Sequence, residues 1–289
     1  MIDPQTAIVD VPLAFFDVET TGLNPTLGHR IVEIGIVVGV GDTILAEYQQ
    51  LVNPQRPSDP GALRVHGITD AMVREAPLFA HIVDQVLSLL DGAVFVGHNA
   101  LFDMGFLRAE LERAQRPRPR IAALDTLTLA RECWYAPSYS LDNLCRGLGI
   151  RKHGHRALSD AEATRQLFRQ IREVLAEQEV RTLADYYDVQ GRRLDWRSVR
   201  SVAQPIEPPP VIREAMKSGA LLWIRYADAR GNSTERTVRP VEVTGRPGQT
   251  YLRAFCYLRQ SERTFAIERI REMRVIDDDS VADGGADSA

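Results

Sequence analysis

The sequence predicts an α/β fold, a mixed sheet flanked by helices, followed by a small and mostly-β domain. Three observations carry this expectation. Apolar runs at residues 13–18, 31–40 and 43–52 are joined by short turns, helical periodicity dominates from 79 to 176, and short alternating strands return after a proline-rich break at 205–210.

The first run leads into Phe15-Phe16-Asp17-Val18-Glu19-Thr20-Thr21-Gly22 and reads as a buried strand that opens to solvent at its acidic end. Alternation puts Asp17 and Glu19 on one face of it. Residues 31–40 and 43–52 follow as two more strands, with 39–42 as their hairpin turn. Helices are expected at 79–90, 101–114, 141–148 and 157–176, with short strands near Ala93 and Ile121 between them. From 177 the pattern thins, and Pro205-Ile206-Glu207-Pro208-Pro209-Pro210 reads as a stiff linker. Beyond it, 211–217 reads as a short helix. Residues 221–226, 234–243, 250–257, 263–266 and 271–276 read as strands of a small β-barrel, with Gly231-Asn232 turning the first hairpin. The expected organisation is thus a first domain at 10–177, a partly helical linker at 178–210, a β domain at 211–276 and an acidic, disordered tail at 277–289. No internal repeat is found.

At 289 residues, with 44% hydrophobic and 26% charged side chains, the chain is longer than one ordinary domain and has a soluble globular composition. No stretch is apolar enough to span a bilayer, and the N-terminus lacks a basic region followed by an apolar core, so the expectation is a cytoplasmic protein with no membrane partner. Cys133, Cys145 and Cys256 are too few and too scattered for a disulfide framework or a zinc site. The net charge of -4 is unevenly spread. Residues 1–211 carry 22 basic and 27 acidic side chains, residues 212–276 carry 13 and 7, and the last thirteen residues carry five acids and no base. An acidic first domain needs its own cations before a polyanion can approach it.

Asp17 and Glu19 repel each other unless a cation lies between them or one takes up a proton, so the pair makes most sense as half of a metal site. Three further features follow along the chain: His98-Asn99-Ala100-Leu101-Phe102-Asp103, then Asp125-Thr126 after an apolar stretch, then His155-Arg156-Ala157-Leu158-Ser159-Asp160. Carboxylate oxygens are hard ligands that suit Mg²⁺ or Mn²⁺, and no Cys/His cluster competes for a softer metal. Two such ions about 3.5 to 4 Å apart hold the attacking and leaving oxygens of an in-line displacement at phosphorus.

With these motifs in this order, the chain resembles the DEDD superfamily of 3'-to-5' exonucleases, and closely its DEDDh (DnaQ-like) branch, from about residue 13 to 171. The resemblance implies a ribonuclease H-like sheet, four site acids at Asp17, Glu19, Asp103 and Asp160, and a branch-defining histidine at His155. Asp17 is expected between two divalent cations, Mg²⁺ (or Mn²⁺), with Glu19 and Asp160 on the ion beside the attacking water and Asp103 completing the site directly or through water. His155 is the candidate general base, because a side chain titrating near neutrality accepts a proton at working pH. Its rival His153 lacks the H-x4-D spacing to Asp160. His98 has that spacing to Asp103, but it ends a strand and reads as a residue fixing the strand-helix corner. Asp125 reads as a helix N-cap. Glu33 reads as part of the packing.

On the substrate side, Gly22 and the amides of Thr20 and Thr21 lie where a 3'-terminal sugar would approach, and Leu23 and Phe102 are placed to flank or stack on the last base. His66, in His66-Gly67-Ile68, resembles the family's pocket-lining segment. The β domain resembles a WYL domain through Ile224-Arg225-Tyr226, Arg236-Thr237-Val238-Arg239-Pro240, Tyr251-Leu252-Arg253-Ala254-Phe255-Cys256 and Arg263-Thr264-Phe265-Ala266-Ile267-Glu268-Arg269-Ile270. It departs at the name-giving tryptophan, where Thr250 precedes Tyr251-Leu252. The resemblance implies an SH3/Sm-like barrel that binds nucleic acid or a small-molecule or nucleotide ligand, with Arg239, Arg253, Arg263 and Arg269 as contacts if their strands pair suitably. Arginine outnumbers lysine twelve to one in residues 212–276, and guanidinium suits phosphate and stacked bases. The function expected is a metal-dependent 3'-to-5' exonuclease releasing nucleoside 5'-monophosphates from nucleic acid with a free 3' end, single-stranded DNA being favoured over RNA. An RNA-trimming exonuclease is the alternative of the same class. A ligand-sensing regulator with a vestigial nuclease fold is the alternative from another class, and the presence of all five catalytic residues argues against it.

Overall fold

The acidic strand, β1 (Pro12–Thr20), is the middle of a five-stranded sheet of order β3-β2-β1-β4-β5. The computed structural model describes residues 2–152, 154–199, 208–227, 233–246, 249–259 and 261–276, and the chain divides into two units near residue 201. In the first unit β1 pairs antiparallel with β2 (Ile31–Val40), Asp17 opposite Gly35 and Glu19 opposite Glu33. β2 pairs antiparallel with β3 (Thr43–Leu51). The short helices α1 (Pro60–His66) and α2 (Asp70–Val73) lead to α3 (Phe79–Leu90). Then β4 (Val94–Gly97) returns parallel to β1, α4 (Ala100–Arg113) crosses over, and β5 (Ala123–Asp125) adds a second parallel strand. Helices α5 (Thr126–Cys133), α6 (Leu141–Gly147) and α7 (Ala157–Glu177) complete the expected set.

Alternation along β1 divides two cores. Ala14, Phe16 and Val18 enter one with residues of α3 and α4, while Leu13 and Phe15 enter the other with residues of α5, α6 and α7. Phe15 meets Phe168 of α7 edge-on at 5.8 Å between ring centroids. Because strand side chains alternate, Asp17 and Glu19 continue the Leu13-Phe15 face and leave the strand on the side covered by α7. Gly35 makes the approach of that helix possible: a Cβ there would strike the backbone of Ala157 and Leu158. The near-continuous apolar run of β2 follows from burial on both faces.

Residues 178–199 differ from the expected linker. After α7 the chain forms α8 (Leu183–Val189), started by a Thr182/Asp185 capping box, and buries Leu183, Tyr186 and Tyr187 in the same core as Phe15 and Phe168. Leu194 then bridges to Ala123 at the sheet edge, and Gln190 Oε1 accepts the Asp125 amide at 2.6 Å. Helix within this segment is expected from the sequence; its packing on the first unit is not, because contact with a distant core leaves no local period.

In the second unit α9 (Pro210–Ser218) packs Ile212 and Ala215 on a sheet of order β10-β6-β7-β8-β9. Its strands are β6 (Leu221–Ala227), β7 (Ser233–Arg246), β8 (Gln249–Cys256), β9 (Ser261–Ala266) and β10 (Ile270–Ile276). All pairings are antiparallel. A 3-10 turn at Ile267–Arg269 joins the two end strands. The expected Gly231-Asn232 turn, residues 205–207 of the linker, the 277–289 tail and His153 lie outside the described residues.

Candidate active site

Three carboxylates converge at the end of β1. Asp17 and Glu19 come from the strand and Asp160 from the first turn of α7, and one oxygen of each lies within 4.8 Å of the others. Asp103 belongs to α4 on the opposite face of the sheet, so it reaches the site around the strand end. Its Oδ1 accepts the Val18 amide at 3.1 Å. Asp103 therefore stands beside the trio, and its charge is the largest neighbouring influence on Asp17.

Burial holds all four acids above their ordinary range. The Asp17 carboxyl is raised well above it, first by desolvation and then by repulsion from Asp103, Asp160 and Glu19. Desolvation, aided by Asp160 and Glu33, pushes Glu19 up to about 7. Asp160 is pushed up to about 6 by burial, against the lowering influence of Lys152. Desolvation also raises Asp103, against the hydrogen bond from Val18. Asp160 Oδ1 is buried without a hydrogen bond, with Lys152 Nζ 3.1 Å away but out of hydrogen-bonding geometry. Four acids held above their ordinary range, with one ammonium beside them, make an all-oxygen donor set that fits hard divalent cations.

His155 sits on the loop before α7, Nδ1 3.9 Å from Asp160 Oδ2 and Nε2 3.5 Å from Asp142 Oδ2. Lys152 Nζ donates to Asp142 Oδ1 at 2.6 Å and lies 3.3 Å from His155 Nδ1. Sequence reasoning missed both Asp142 and Lys152. Asp142 looked like any acid in a helix's first turn, and Lys152 like any base in a polar loop; only their proximity gives them meaning. His98 is fixed between Thr126 Oγ1 (3.0 Å) and the Tyr139 carbonyl (2.8 Å), at the strand-helix corner. Asp125 caps α5 through the Leu127 amide and also accepts the Asn99 amide at 2.7 Å, so one carboxylate serves two helix starts.

The Exonuclease (RNase_T) family model matches residues 14–168, more than half of the chain. The chain belongs to this exonuclease family. A WYL domain model matches residues 210–275. DNA polymerase III subunit epsilon of Rickettsia felis is 36% identical over 160 residues, 53% of this chain and 70% of that protein. The 3'-5' exonuclease DinG of Bacillus subtilis is 37% identical over 161 residues, 55% of this chain and 17% of that protein. Among solved structures, E. coli Exonuclease I in complex with a dA16 oligonucleotide shares the fold, with a TM-score of 0.55, 18% identity, and coverage of 85% of this chain and 55% of that one. The protein is an enzyme of the DEDDh (DnaQ-like) 3'-to-5' exonuclease class with a C-terminal WYL domain.

Around the exonuclease site, Thr20 Oγ1 donates to the Gly22 carbonyl at 2.7 Å, and Leu23 projects with 64% of its surface exposed. Thr21 departs from its expected part. Its amide donates to the Arg30 carbonyl at 2.8 Å and its hydroxyl accepts the Arg30 amide, so the residue holds the loop and offers no free backbone donor. Gly22 lies against the His29 ring, which a Cβ would strike. His66 is buried, its Nδ1 accepting the Ile68 amide at 2.9 Å and its Nε2 3.2 Å from the Thr20 carbonyl, so it braces the strand end from below. Phe102 packs on Phe106 at 5.0 Å between centroids and is half-buried.

The exonuclease's WYL arginines do not converge as a set of four. Arg239 lies opposite Phe255, and Arg253 lies two residues from Phe255 on the same face. Arg239 Nη2 also donates to Tyr257 Oη at 3.0 Å. Arg263 pairs with core-facing Ala254 and so belongs to the other face, and Arg269 lies exposed in the 3-10 turn before β10. One residue of alternation separates the two groups. No helix among the described residues is long and apolar enough to cross a membrane.

Proposed function

We propose that this exonuclease uses divalent metal to release nucleoside 5'-monophosphates from the 3' end of single-stranded DNA. The observation that carries the reading is the convergence of Asp17, Glu19 and Asp160 oxygens within 4.8 Å, with Asp103 bonded to the same strand end. Asp17, Glu19, Asp160 and Asp103 would hold the ions, Mg²⁺ by the hardness of the donors. Two such ions, when bound, supply charge stabilisation at the scissile phosphate and activation of the attacking water. His155 accepts the proton of that water, its exposed ring lying on the solvent side of Asp160. Leu23 and Phe102 flank the terminal base. The WYL domain holds the strand upstream through Arg239 and Arg253. DNA is favoured over RNA by relatives such as the Rickettsia felis protein, which is named as a DNA polymerase III subunit.

The test is a 5'-labelled DNA and an RNA of one sequence, incubated with and without Mg²⁺ and resolved by product length. A DNA ladder shortening from the 3' end only with metal supports the reading. A faster RNA ladder replaces the substrate, and no ladder on either refutes the activity.

A further inference from the structure

Lys152 is one of two lysines in a chain with 33 arginines, and it stands at the acid cluster. Only 8% of its side chain is exposed. Its ammonium lies 2.6 Å from Asp142 Oδ1, 3.3 Å from His155 Nδ1 and 3.1 Å from Asp160 Oδ1, the buried oxygen that lacks a hydrogen bond. The choice of lysine is informative where nearly every other base is arginine. A guanidinium fork would take the Asp160 carboxylate through two parallel bonds, whereas an ammonium is a compact point charge that lets go by a small rotation. Asp142 gives it a partner to keep when it does.

We propose that Lys152 is a built-in counter-cation: its ammonium neutralises Asp160 while no divalent ion is bound, yields that carboxylate when one binds, and so sets the affinity of the site for metal. The inference rests on reading the acid cluster as the metal site. The same contacts tie ion binding to the loop carrying His155, because the ammonium that leaves Asp160 also lies against the imidazole.

The experiment is calorimetric titration of the full-length, chelator-treated protein with Mn²⁺, alongside thermal melts with and without the ion. Asp17→Asn serves as the control for the site itself. Lys152→Met is expected to bind Mn²⁺ at least about ten-fold more tightly, since a like charge has been removed next to the ion, and to melt lower than wild type only when the ion is absent. Lys152→Arg is expected to bind no more tightly than wild type. Equal or weaker binding by Lys152→Met overturns the proposal, as does equal tightening by Lys152→Arg. Should Lys152→Met not fold, Lys152→Gln takes its place with the same expectation. If neither neutral variant folds even with Mn²⁺ present, the ion does not exchange with the ammonium and the proposal fails. Absence of Mn²⁺ binding in wild type would instead remove the metal site, a result distinct from either outcome for Lys152.

Discussion

Glu33 reaches from β2 to grip Arg156, with Arg156 Nη2 donating at 2.5 Å and Nε at 3.0 Å. The same carboxylate, fully buried, also accepts the Ala157 amide at 3.0 Å and Gln49 Nε2 at 2.8 Å. These bonds hold Glu33 below the ordinary carboxylate range despite its burial. They fix the first turn of α7, and with it Asp160, against the strand beside Asp17. Glu33→Gln should therefore lose about 1–3 kcal/mol of stability and at least about ten-fold in kcat, with a smaller change in KM. Urea melts and steady-state kinetics measure the two effects, and an unchanged kcat would leave Glu33 as packing alone.

Gly35 tests the same spacing by a route that leaves every charge in place. A methyl group there strikes the Ala157 and Leu158 backbone, so Gly35→Ala should push α7 away from β2. Overpacking of this kind costs about 1–3 kcal/mol. Weaker Mn²⁺ binding in calorimetry is the expected sign that Asp160 moved, and a variant matching wild type in both melt and titration would show that the helix start tolerates the displacement.

Much of this geometry was legible in the sequence, and what was not had a physical reason. The strand-end acids and the H-x4-D spacing before Asp160 are local patterns, so the resemblance they carry points to Asp17, Glu19, His155 and Asp160, and the fold brings the oxygens of Asp17, Glu19 and Asp160 within 4.8 Å of one another. Asp142, Lys152 and the tie between Glu33 and Arg156 are contacts between residues far apart or ordinary in type, and no period or spacing marks them. The WYL arginines show the opposite case. Their number was visible, but whether Arg263 shares a face with Arg239 depends on pairing register, which is settled only when the strands meet.

The raised acids predict how stability responds to pH when no metal is present. Glu19 moves from 4.5 to about 7 and Asp160 from 3.8 to about 6 on folding, so between roughly these limits the folded protein keeps protons that the unfolded chain has released. Their contribution is fully present below the unfolded values, falls as pH rises through 6 to 7, and is gone above. Chelator-treated protein should melt progressively lower from pH 5 to 7.5 relative to Glu19→Gln, which lacks one of the two titrations, and added Mg²⁺ should restore most of the loss at the upper end. Parallel melting curves for the two proteins across that range would contradict the burial argument.

For the second domain, the face shared by Arg239, Arg253 and Phe255 is the proposed contact with substrate upstream of the cleaved end. Arg253→Ala in the full chain should weaken binding of long single-stranded DNA and lower the slope of log affinity against log salt by about 0.7, while leaving cleavage of a dinucleotide unchanged. Filter binding at several salt concentrations gives the slope. The same result from Arg263→Ala, on the other face of the sheet, would argue for diffuse charge over a defined track.

The assignment of roles within the site separates by which property each variant loses. Asp17 is a desolvated acid whose charged form is disfavoured by burial and by three neighbouring acids, so Asp17→Ala removes a poorly placed polar group as well as a ligand. It should abolish cleavage while the chelator-treated protein melts no lower than wild type, a combination that a merely structural residue does not produce. His155→Ala should retain metal binding and lose about 10² to 10⁴ in kcat, because the histidine touches Asp160 only from outside the trio. His153→Ala should keep near-normal turnover. Single-turnover measurements on a short DNA resolve the chemical step for all three, and a larger loss at His153 than at His155 would transfer the role of base to the earlier histidine and leave His155 as an ion-pair partner of Asp142.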